Sequence, residues 1–164
     1  MNSVINYINS LLFLLLPETG CFGFKRFLLR CAGIKVGTDV RVCSSVRFMG
    51  SGSLEIGSGT WIGHQTLIIS SSQVKIGENV DIAPMVYIGT GTHLIEPGGL
   101  RIAGRPFSKE VEIGNGAWIG AKACILPGVK VGTKAVVAAG AVLVDSCSDK
   151  AIFAGVPAKK VKDL

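Results

Sequence analysis

Residues 113–143 read IGNGAW-IGAKAC-ILPGVK-VGTKAV-VAAGAV-L, five six-residue units and the start of another. Each unit opens on an aliphatic residue: Ile113, Ile119, Ile125, Val131, Val137, Leu143. Four positions on stands a small residue or valine: Ala117, Ala123, Val129, Ala135, Ala141, Cys147. A helix repeats about every 3.6 residues and a half-buried strand about every 2, so neither explains a period of six. A chain that turns one corner per unit, with two residues of every six pointing inward, does.

The rhythm extends backwards through Val36, Val42 and Phe48, then Ile56, Ile62 and Ile68, then Ile76, Ile82 and Ile88. Two-residue insertions fall between Phe48 and Ile56 and between Ile68 and Ile76, so three units make one coil. The predicted fold is an all-β triangular parallel β-helix of about five coils, roughly 24 Å tall at the usual strand spacing. Residues 1–33 are read as an apolar helical cap, 34–148 as the β-helix with a loop at 94–110, and 149–164 as a tail ending in a short helix.

Composition agrees. Glycine supplies 22 of 164 residues, but 48% are hydrophobic and only 17% charged, the reverse of a disordered chain. Eight of these glycines directly follow the first aliphatic of a unit, which places them at corners. A length of 164 suits one domain. The net charge of +6 fits an anionic ligand or membrane surface, and no nucleic-acid motif is present. Five cysteines without a CxxC pair suggest free thiols and a cytoplasmic setting.

Val4 to Leu16 is apolar and ends at Pro17, too short to span a bilayer, which takes about 20 residues. Two readings stay open. It packs over the end of the core, or it contacts the inner face of a membrane, with Phe22, Phe24, Phe27, Lys25, Arg26 and Arg30 beside it.

The spacing breaks once, between Ile88 and Ile113. The third coil is expected to end at His93, with 94–110 looping out. A neutral imidazole is the usual base for a hydroxyl proton. The segment Gly89-Thr90-Gly91-Thr92-His93, the loop, and Val111 to Gly120 resemble the active-site stretch of the galactoside, maltose and polysaccharide O-acetyltransferases, within the hexapeptide-repeat acyltransferase family. The tail Ala154-Gly155-Val156-Pro157-Ala158-Lys159 is similar to that family's Gly-x-Pro-Ala-Arg/Lys ending.

The resemblance implies a left-handed coil, a homotrimer with sites between subunits, and acetyl-CoA as cosubstrate without a metal. It makes His93 the catalytic base. It places Trp118, Gly120, Ala121, Ala139, Lys159 and Lys162 along the coenzyme. Gly120-Ala121 would supply the oxyanion donor, and Glu96 is a candidate to orient His93. Relatives acting on free galactosides carry asparagine and aspartate where this chain has Gly63 and Ser71. Trp61, His64 and Asp81 are the alternative acceptor contacts. The expected activity is O-acetylation of a saccharide in surface-polysaccharide synthesis. The alternatives are N-acetylation of an aminosugar nucleotide, acetylation of an amino acid or antibiotic, or a structural β-helix scaffold. A zinc site needs three ligands, and the chain has two histidines.

Overall fold

A computed structural model describes all 164 residues. Short parallel strands stack into three faces. The first holds Lys35–Val36, Ser53–Ile56, Gln73–Ile76, Val111–Ile113 and Lys130–Val131. The second holds Arg41–Val42, Trp61–Ile62, Asp81–Ile82, Trp118–Ile119, Val136–Val137 and Ala151–Gly155. The third holds Arg47–Met49, Leu67–Ile69, Tyr87–Gly89, Cys124–Ile125 and Val142–Leu143. Each parallel pair joins strands one coil apart, with the opening aliphatics in register: Ile56 with Ile76, Ile62 with Ile82, Ile68 with Ile88. All fifteen opening residues except Phe48 are buried.

The prism is longer than the expected five coils. A partial sixth begins at Cys147, whose N–H donates to the Lys130 carbonyl at 2.8 Å, and continues through Ala151–Gly155. The glycines at one corner are fixed by this stacking. A Cβ on Gly57 would lie 2.5 Å from the Gly77 backbone, and one on Gly114 would lie 2.6 Å from the Thr133 nitrogen. Outward on the first face, Lys35, Glu55, Lys75, Glu112 and Lys130 alternate in sign from coil to coil, with Lys35 and Glu55 paired at 2.6 Å.

Hydrogen bonds join each coil to the next in both directions: the N–H groups of Gly37, Arg41 and Cys43 donate to carbonyls of the second coil, and the Gly59 N–H donates back to Thr38. The first coil has a neighbour on one side only, so its outward carbonyls at Val36, Val40 and Val42 need donors. Helix α2 (Phe22–Cys31) supplies them. Lys25 Nζ donates to the Val42 carbonyl at 3.1 Å, Arg26 to Val40 at 3.1 Å, and Arg30 to Val36 at 2.8 Å and Gly37 at 3.0 Å. These three cations, read from sequence as neighbours of a membrane contact, instead close the open end. Lysine and arginine suit the task because they only donate.

Helix α1 (Ser3–Phe13) is capped by the Asn2 side chain, which accepts from the Val4 and Ile5 amides. It packs on α2, with Asn9 Nδ2 donating to the Leu28 carbonyl at 2.7 Å. Its inward residues are Asn6, Asn9 and Phe13.

The tail corrects a second expectation. In place of a short helix, Ala151–Gly155 extends the second face and turns at Val156-Pro157 into Ala158–Asp163, an antiparallel partner. Pairing of Ile152 and Phe153 with Val136 and Val137 overrides the helical character of the lysine-rich sequence. The final strand then covers the last edge of the stack.

Candidate active site

The chain leaves the prism at Gly91, three residues earlier than the spacing suggests. Thr90 takes the buried corner place, and its hydroxyl accepts from the Ser71 and Ser72 amides at 2.7 and 3.1 Å. Beyond it, residues 94–110 are not an irregular loop. Gly91–Ile95 and Ala103–Ser108 pair antiparallel into an arm, with His93 opposite Pro106.

His93 is exposed and its ring has no hydrogen-bond partner in the chain. It lines a groove of about 360 Å³ with Ser71, Gly91, Thr92, Pro106, Phe107 and Ser108. The groove offers the His93 imidazole with the hydroxyls of Ser71 and Ser108, a set suited to a hydroxylated acceptor, while Thr92 and Phe107 belong to the other face of the arm. Phe107 and Ser108 carried no sequence signal, because only pairing of the arm returns them to His93. Ser71 enters through the corner that Thr90 holds.

Glu96 is placed elsewhere. Its carboxylate accepts from the Arg105 amide at 3.2 Å and lies over Gly104, within the arm. His64 and Trp61, on the second coil, face the cap. His64 Nδ1 lies 2.9 Å from Glu18 Oε1, and Trp61 packs edge-on against Phe22 at 6.1 Å and under the Arg41 guanidinium at 5.3 Å. Burial works to raise the Glu18 pKa, but hydrogen bonds from Ser45 and the neighbouring His64 outweigh it and hold the carboxyl below its ordinary value. Cys43 completes a cluster with these two residues.

The remaining predicted residues gather on the second face and its far corner. Trp118 is 56% exposed. Register carries its row through Asp81 to Trp61 on one side, and through Val136 and Ile152 to Lys162 on the other. Trp118 and Lys162 are thus three strand spacings apart, about 14 Å. Lys159, on the same last strand, has its Nζ 3.8 Å from Asp145. At the corner, Gly120 cannot carry a side chain, since a Cβ would lie 2.5 Å from the Ala139 nitrogen. The Gly120 N–H is engaged by the Val137 carbonyl. The amides of Ala121 and Ala139, one coil apart, have no acceptor in the chain.

Residues 110–145 match the bacterial transferase hexapeptide profile of six repeats. The galactoside O-acetyltransferase of Escherichia coli (strain K12) is 31% identical over 79% of this chain and 63% of its own length. The chain belongs to the hexapeptide-repeat acyltransferase family. WcaF of the same organism, named for an inferred acetyltransferase step in colanic acid biosynthesis, is 26% identical over 87% of this chain and 76% of its own. A solved galactoside acetyltransferase in complex with coenzyme A superposes with a TM-score of 0.84 at 25% identity, covering 98% of this chain and 80% of that one. The shared architecture is the left-handed β-helix. The chain spans between 56% and 63% of the length of the first curated relatives it matches.

Proposed function

We propose that the protein is an acetyl-CoA-dependent O-acetyltransferase whose acceptor is a saccharide hydroxyl, in a cytoplasmic step of surface-polysaccharide synthesis. The observation that carries the reading is His93, exposed and unpaired in a groove with the hydroxyls of Ser71 and Ser108. Two kinds of relative support it: galactoside acetyltransferases, one with coenzyme A bound, and the relative named for colanic acid.

In this mechanism His93 takes the acceptor hydroxyl proton as that oxygen attacks the thioester carbonyl. The carbon–sulfur bond then breaks, the thiolate leaves, and the imidazolium returns the proton to it. The free Ala121 amide is the donor for the tetrahedral oxyanion, because the Gly120 amide is already engaged. The row from Trp118 to Lys162 is the coenzyme track, with Ala139 as a second amide contact and Lys159 and Lys162 as point charges for phosphate. His93 roots at the corner between the third and first faces, and Trp118 stands on the second. The site is therefore shared between chains, in the homotrimer that the family resemblance implies, with one subunit supplying His93 and its neighbour the coenzyme track.

The test is free-thiol release from acetyl-CoA against nucleotide sugars, oligosaccharides and amino acids, with His93→Ala alongside. Turnover on hydroxylated glycans, lost in the variant, supports the reading. Release only with an aminosugar nucleotide or amino acid refutes the acceptor class, and near wild-type turnover in His93→Ala refutes the base.

A further inference from the structure

Helix α1 is turned inside out for a water-soluble protein. Asn6 and Asn9 face the core, while Val4, Ile8 and Leu11 form its outer stripe, with Val4 70% exposed, and Leu15, 82% exposed, follows in the turn after the helix. At 100° per residue Val4, Ile8 and Leu11 lie within about 60° of one another, one continuous strip. No side chain before Glu18 is charged. On the neighbouring helix, Phe24 and Phe27 stack at 6.3 Å and are themselves exposed. A contiguous apolar surface of this kind marks an interaction site rather than ordinary surface.

Two observations select its occupant. First, residues 1–52 hold six basic and two acidic side chains, so +4 of the chain's +6 sits at this end of the prism. Second, a groove of about 290 Å³ runs between α1 and the first strand of the third face, lined by Asn6, Tyr7, Ser10, Arg47 and Met49 among others. A guanidinium in this groove, at the edge of an apolar strip, fits an anionic headgroup whose acyl chains meet the strip.

We propose that the α1–α2 cap docks on an anionic phospholipid surface. The apolar strip and the Phe24–Phe27 pair enter the acyl boundary, and a lipid phosphate lies against Arg47. The helix lies on the surface rather than crossing it, since 11 residues reach only about 16 Å. Nothing here depends on the transferase reading.

The experiment is co-sedimentation of the full chain with vesicles of phosphatidylcholine alone or mixed with phosphatidylglycerol. Binding is expected to the mixed vesicles, and to fall on the order of ten-fold in Ile8→Glu/Leu11→Glu, whose sites are half exposed and whose melting temperature should hold. Arg47→Gln should weaken the preference for phosphatidylglycerol. Three results overturn the proposal: wild-type protein that stays in the supernatant, a double variant that binds like wild type, or a double variant whose mass by light scattering drops, which makes the strip a contact between copies.

Discussion

His93 and Trp118 stand on different sides of one protomer, the first on an arm at the corner between the third and first faces, the second at mid-height on the second face. A prism cannot bend to bring them together, because each coil is pinned to the next by backbone hydrogen bonds. If both serve one reaction, the site spans two chains. His93→Ala and Trp118→Ala subunits, each impaired alone, should then complement when co-expressed. Random mixing gives about one interface in four with both native residues, so about a quarter of wild-type turnover is expected at low acetyl-CoA. Activity no greater than the sum of the separate variants would mean no sharing.

Glu96 tests how the imidazole is held. Its carboxylate bonds the Arg105 amide and does not reach His93. Glu96→Gln should keep kcat within about three-fold, against the ten-fold or greater loss expected when an orienting carboxylate is removed. A large fall in kcat with an altered pH profile would return Glu96 to the orienting role.

The repeat was legible because its signal is local: each unit states its inward residues at a fixed spacing, and no distant partner is needed. The cap and the tail were not. Lys25, Arg26 and Arg30 read as surface charges because their partners are backbone carbonyls, which every residue has. His64 finds Glu18 across 46 positions, and no spacing rule connects them. The lysines of the tail read as helical because helix propensity is local and strand pairing is not. At the site, His93 was visible as an interruption, whereas Phe107 and Ser108 become neighbours only through the arm.

The capping role of Lys25 carries a large expected cost. Its ammonium is fully buried and donates to the Pro17, Glu18 and Val42 carbonyls at 2.9, 3.1 and 3.1 Å. Burial pulls its pKa down, while Cys43, Glu18 and Cys21 oppose this. Lys25→Met keeps the apolar stem but leaves the Val42 carbonyl without a donor, while Pro17 and Glu18 each keep a bond from Ser44. A loss of about 1–3 kcal/mol is expected. Chemical denaturation should show it, with a lower midpoint at an unchanged slope. An unchanged midpoint would mean that the first coil needs no such closure.

Glu18 makes the clasp between cap and second coil pH-sensitive. Its carboxyl is held below its unfolded value, so its contribution is complete above about pH 4.3 and is lost as pH falls through the lower folded value. Glu18→Gln removes that linkage. The gap in melting temperature between wild type and variant should be widest near neutral pH and shrink below about pH 4.3. A gap that widens in acid would give Glu18 the opposite sign.

The five thiols separate by environment, and the separation tests the packing of both prism ends. Cys21 and Cys31 are exposed, Cys124 is partly covered, and Cys43 and Cys147 are buried. Burial raises the Cys43 pKa and pushes Cys147 up to about 12, which leaves little thiolate at neutral pH. Iodoacetamide at pH 7.5 should therefore modify Cys21 and Cys31 first, Cys124 more slowly, and Cys43 and Cys147 only on unfolding, as followed by peptide mass mapping. Early modification of Cys147 would show that the sixth coil and its terminal hairpin open readily. Early modification of Cys43 would show the same of the helical cap.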